Sequence, residues 1–269
     1  MRREGYQAYG ARRITECLCA LSERMASGVP ADIQGVRAAL DAAHRLQTCL
    51  TLFARGYPTP RVALWKRRLR RILRALYALH DCLRLIEWVA AQQPASEHRA
   101  GVQRALLRLQ QHSERQRQTL QRAWERWNAQ HIPSEIRGLS RRWIESFGDE
   151  AVDPAYAQRV WQLFRREQLA ALEAGAATPA VPCGRARALL DACDLLAPLN
   201  LPLDCPNDLQ ARLETLDALR FREGSLRLLT ELLDAERARE QAHTGNLRAF
   251  TRIQKGWVWL VGQFQRFSA

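Results

Sequence analysis

Along nearly the whole chain, apolar residues recur every three or four positions, and no stretch alternates at period two between hairpin turns. Leu69, Ile72, Leu73, Leu76, Leu79 and Leu83 are a clear case of the stripe this spacing makes on one side of a helix. Breakers divide the pattern into segments. "SGVPAD" (27–32) separates a first helix from a second that runs through Phe53, and "RGYPTP" (55–60) leads into a long helix over about 61–92. "QQPAS" (92–96) opens another long, very polar helix reaching about Asn128. "HIPSE" starts a shorter one with Pro133 in the tolerated first turn, and "FGDEAVDP" (147–154) precedes a helix to about Ala174. After "AGAATPAVP" (174–182) come a short helix over 183–197, the Pro-rich loop 198–208, a helix to about 240 and a last one to about 267.

Helices joined by short connections predict an all-α antiparallel helical bundle. Two segments look like weakly similar copies of one helical unit: "VRAALDAAHRLQTCLTLF" (36–53) with the helix after it, and "CGRARALLDACDLLAPL" (183–199) with the helix after it. The expected organisation is an N-terminal helix over 1–29 and a helical domain over 30–269. That domain has a first half at 30–173, a linker at 174–182 and a second half at 183–269.

Charge changes the picture. The chain carries 41 Lys plus Arg against 28 Asp plus Glu, a formal net charge of +13, which favours polyanionic partners such as nucleic acid, polyphosphate or anionic lipid. The seven cysteines include no C-x-x-C pair, and their odd number predicts reduced, mostly buried thiols in a cytoplasmic protein. The longest uncharged apolar run, "GWVWLVGQF" (256–264), is less than half the ~20 residues a membrane span needs, so no membrane insertion is expected.

The positive charge is densest in "LWKRRLRRILRALYALHD" (64–81), with six Lys or Arg among its first eleven residues and no acid before Asp81. Arg67, Arg70, Arg71 and Arg74 follow i, i+3, i+4, i+7 and share one face; Lys66 adjoins them. Like charges at that spacing repel by a few tenths of a kcal/mol per pair, so the row calls for acids on a neighbouring helix, an anionic ligand or solvation. Arg suits phosphate because its planar fork can bond two oxygens at once. The preceding helix adds Arg37, His44 and Arg45, the first two seven residues apart on one side. Paired antiparallel, the two helices would make a cationic trough.

These segments resemble the CHAD domain (conserved histidine α-helical domain), an all-helical family that binds inorganic polyphosphate. Its signature is a helix of the type V-H-x-L-R-V-x-x-R-R-L-R-x-x-L-x-x-F, then a loop and a second helix ending L-G-x-x-R-D. "VRAALDAAHRLQTCLTLF" stands at the first place and "LRALYALHDCLRLI" (73–86) at the second, with Val36, Arg45, Leu46, Leu50, Phe53, Leu76 and Asp81 on matching positions. The resemblance covers roughly 30–265, with "VQRALLRLQQHSERQRQTLQRAWERW" (102–127) similar to the family's long polar helix. It also departs from the pattern. Arg37 holds the place of the eponymous histidine, Leu40 and Gln47 replace arginines, and His80 replaces the arginine before Asp81. In the second half the histidine position falls on Ala180, with Arg185 and Arg187 keeping basic character.

Motifs for other chemistry are missing. There is no H-E-x-x-H, no nucleotide-binding glycine loop and no G-x-S-x-G elbow, and the eight tryptophans are expected in the core. The expected function is therefore non-catalytic binding of inorganic polyphosphate or another polyanion, with no cofactor and no metal. The expected site is Arg37, His44, Arg45, Lys66, Arg67, Arg70, Arg71, Arg74, Arg185, Arg187 and Arg220. The expected setting is the cytoplasm, beside polyphosphate granules. The alternatives are a CHAD-like scaffold that has lost its ligand and binds a protein partner, and an RNA-binding helical protein.

Overall fold

The computed structural model describes residues 3–173, 179–244 and 248–267, and among them the chain forms nine α-helices and no strand. These are α1 (Glu4–Arg24), α2 (Ile33–Leu52), α3 (Thr59–Ala90), α4 (Ser96–Ala129), α5 (Ile132–Phe147), α6 (Pro154–Glu173), α7 (Ala180–Leu196), α8 (Leu209–Thr244) and α9 (Arg248–Phe267). The fold is all-α, as the periodicity predicts. Of the predicted linker 174–182, residues 174–178 lie outside the described residues, and α7 begins at Ala180.

Local chemistry sets the boundaries. The Asp32 side chain caps α2 by accepting from the Gly35 N–H at 2.7 Å, and Asp153 caps α6 by accepting from the Ala155 N–H at 3.0 Å. Pro60 and Pro133 occupy the first turns of α3 and α5, where a missing N–H costs no helical bond. His131 turns the chain from α4 into α5 in the left-handed region at φ 52°.

The chain divides into two compact units, one of residues 1–77 and 119–217, the other of 78–118 and 218–269. Each unit therefore draws on both halves of the sequence, and α3, α4 and α8 contribute residues to both. Those helices have 32, 34 and 36 residues. At ~1.5 Å rise per residue each is about 50 Å long, more than one small core can cover.

In the first unit α1 packs on α2 and α5, so the helix that the sequence sets apart at 1–29 is built into this core. Tyr6, Ile14, Leu18 and Leu21 of α1 are buried, and the Tyr6 ring lies 5.2 Å from that of Phe53. Gly10 lets α1 approach closely: a Cβ there would sit 2.5 Å from the Phe53 ring. Trp65, Trp127 and Trp161 are wholly buried in this unit, as the core expectation has it.

The second unit closes over Cys82, Leu85, Val89, Val102, Leu109, Phe221, Leu229, Trp257, Leu260 and Phe264. Here α4 crosses α9 at a pair of glycines, where a Cβ on Gly101 would lie 2.7 Å from the Gly256 Cα. Glu236 is wholly buried in this unit, held by Arg104, by Arg108 Nε at 2.6 Å and by Arg239 at 3.2 Å.

One expectation is corrected. Cys193 and Cys205 are joined by a disulfide, while Cys17, Cys19, Cys49, Cys82 and Cys183 are free. Asn200, at φ 51°, turns the chain after α7 so that the loop returns and brings Cys205 back to Cys193. An odd count of seven forbids complete pairing, but it says nothing against a single pair.

Candidate polyanion-binding site

In the first unit, α3 is amphipathic because its apolar stripe of Trp65, Leu69, Ile72, Leu73 and Leu76 is buried. That burial turns the opposite stripe outward, and Arg67, Arg70, Arg71 and Arg74 are all exposed. Arg70 Nε reaches the Lys66 carbonyl at 3.3 Å and Arg74 Nε the Arg70 carbonyl at 3.4 Å, long bonds that lay each side chain back along its own helix. Among the described residues, no carboxylate pairs with Lys66, Arg67, Arg70, Arg71 or Arg74. The acid facing the start of α3 is already engaged: Glu135 accepts from Arg61 and from Trp65 Nε1. Two cations beside the row are held below their ordinary range, first by burial and then by neighbouring charge. Burial, then Arg70, holds the half-buried Lys66 ammonium below the ordinary lysine range. Partial burial, then Arg71, Arg67 and Arg126, lowers Arg68, whose Nε donates to Gln130 at 2.7 Å.

His44 sits beyond the end of this row. It is buried, with Nε2 2.6 Å from the Tyr77 hydroxyl and the rings edge to face, and Tyr77 lies one turn past Arg74. Arg37, two turns back from His44 along α2, is exposed and has no acid partner among the described residues.

Arg45 and Arg187 are in the opposite condition. On α7, Arg187, Asp191 and Asp194 follow i, i+4, i+7 and form a stripe that meets α2. Arg187 bonds Asp41 and lies 3.7 Å from Asp191; Arg45 reaches Asp194 at 3.2 Å; Thr48 donates to Asp191 at 3.4 Å. Burial pushes Asp191 up to about 7, with Arg187 and Arg45 opposing the shift. Arg185 projects elsewhere, donating to the side-chain amide oxygen Oε1 of Gln168 at 3.0 Å.

Arg220 belongs to the second unit, where it is mostly buried and forms a two-pronged bond to Asp81, its second prong 3.0 Å long. His80, also buried, places Nδ1 3.7 Å from Asp81. Among the described residues, no three His, Cys, Asp or Glu side chains converge as metal ligands would.

The anchor residues of the motif thus lie in the core: Val36, Leu46, Leu50, Phe53 and Leu76 are buried, and so is Leu40 at a position where an arginine would project. A family model for the CHAD domain matches residues 12–199. The chain belongs to the CHAD family. The CHAD match starts inside α1, earlier than residue 30, and ends before α8. It includes both the bare α3 row and the α2–α7 cluster, and leaves Arg220 outside. Neither the curated proteins nor the solved structures give a match to the chain.

The sequence reading missed the groups that decide which arginines are neutralised. Asp191 and Asp194 carried a signal, since 187, 191 and 194 fall on one helical face as a base followed by two acids. Nothing in the sequence said that this face meets α2.

Proposed function

We propose that this CHAD-family protein binds inorganic polyphosphate, without catalysis, through the α3 row of Lys66, Arg67, Arg70, Arg71 and Arg74. The observation that carries the reading is the absence, among the described residues, of any carboxylate paired with this row. A helix that stacks four guanidiniums on one face is destabilised by their repulsion, and an external polyanion relieves it. From Arg67 to Arg74 the row advances about 10 Å, so successive turns meet successive phosphates of an extended chain. Each contact is a charge-assisted bond from a fork that fits two oxygens. The family's association with polyphosphate supports the same ligand. The reading puts the protein in the cytoplasm beside polyphosphate granules; five of its seven cysteines are free thiols.

A second reading, a CHAD scaffold for a protein partner, draws on the neutralised α2–α7 cluster. Titration of labelled long-chain polyphosphate at low and moderate salt, with RNA of matched charge as competitor, separates the two. Polyphosphate binding that RNA does not displace supports the first reading. Binding that is weak and equally displaced by RNA sinks it.

A further inference from the structure

Arg45 on α2 and Arg187 on α7 are each answered by a carboxylate of the same unit, while Arg67, Arg70, Arg71 and Arg74 on α3 are not. Arg45 meets Asp194, Arg187 meets Asp41 and Asp191, and Thr48 adds a hydrogen bond to Asp191. A phosphate approaching Arg45 or Arg187 must first displace an acid already seated there. For Arg45 that acid is weakly held, because the two side chains are 47% and 68% exposed.

We propose that Asp41, Asp191 and Asp194 act as a built-in competitor that masks Arg45 and Arg187 and confines the bound polyphosphate to the α3 row. The proposal rests on the polyphosphate reading above and adds the element that sets the size of its footprint. The aspartates are positioning residues: they make no contact with the ligand and act by withholding two arginines from it.

The test uses the full chain and long-chain inorganic polyphosphate. Asp41→Asn with Asp194→Asn removes two partly exposed acids, and circular dichroism checks the fold. This variant is expected to bind several-fold tighter, with a salt dependence steeper by about 0.7 in log K against log salt for Arg45 set free, and by up to about 1.4 if Arg187, which Asp191 still faces at 3.7 Å, is released as well. Arg45→Gln with Arg187→Gln is expected to leave wild-type affinity within about twofold and to abolish the gain in the Asn background. A control of equal charge on the same unit, Glu23→Gln with Asp149→Asn, is expected to change affinity by less than about twofold.

Three results overturn the mask: wild-type affinity and slope in the Asn variant, an equal gain in the charge control, or marked loss on removing Arg45 and Arg187 from the wild type. Failure of the polyphosphate reading looks different. There the wild type does not bind, and binding gained by the Asn variant alone still supports the mask, whereas none in either variant removes both.

Discussion

The bare arginine row of α3 and the neutralised cluster of α2 and α7 use the same residue type within one compact unit, yet their electrostatic states are opposite. In the cluster the charge is spent internally, and its residues hold the two helices together. In the row it is left unpaired at a cost to the helix, and it is available to a ligand. Counting arginines, or the net charge of +13, does not separate these cases. Which acid sits within reach does.

The largest effect is expected from reversing charge in the row. Arg70→Glu with Arg74→Glu should weaken polyphosphate binding by more than about a hundredfold, each site losing a charge-assisted contact and gaining a repulsion, while helical content stays unchanged. Retained binding by the folded variant would break the comparison.

A smaller effect is expected from pH. Asp191 has its folded value raised to about 7, against an unfolded value near 4, so the folded state binds more protons between them. Stability from this group therefore falls as pH rises from about 4 to 7. Asp191→Asn should melt higher than wild type at pH 8, by about 4 °C, and lose that advantage by pH 5. Glu236, where the Arg108 and Arg104 hydrogen bonds outweigh burial and lower the carboxyl, acts in the other direction, and its contribution is lost on acidification. A variant with an unchanged melting profile would show that Asp191 is not the buried acid of the cluster.

Next in size is Arg187→Gln, expected to cost about 1 kcal/mol in denaturant unfolding because it takes the nearest cation from buried Asp191 and from partly exposed Asp41. The smallest effect has the opposite sign. Arg71→Gln should stabilise the fold by a few tenths of a kcal/mol, since it relieves repulsion in the row, while weakening polyphosphate binding. If Arg71→Gln destabilised the protein instead, the row would hold the structure together as the cluster does.

The helices and their ends were legible in the sequence because apolar spacing, capping aspartates and first-turn prolines are local signals. Asp32, Asp153 and Pro133 mark their boundaries without any tertiary information. The α3 row was legible for the same reason. The state of Arg45, Arg187 and Arg220 was not, because Asp194 is 149 residues from Arg45 and Asp81 is 139 from Arg220. The Cys193–Cys205 bridge was hidden by the turn at Asn200. The departures at Leu40 and His80 read as erosion in the sequence, whereas in the fold both residues are buried.

One titration tests the central claim most directly. Arg70→Gln with Arg74→Gln and Arg45→Gln with Arg187→Gln remove the same charge from the same unit, and each is titrated against long-chain polyphosphate beside the wild type. The expected result is a loss of about thirtyfold or more for the α3 pair and less than about twofold for the α2–α7 pair. Equal losses in the two variants would mean that binding follows net charge alone, and would contradict a site on α3.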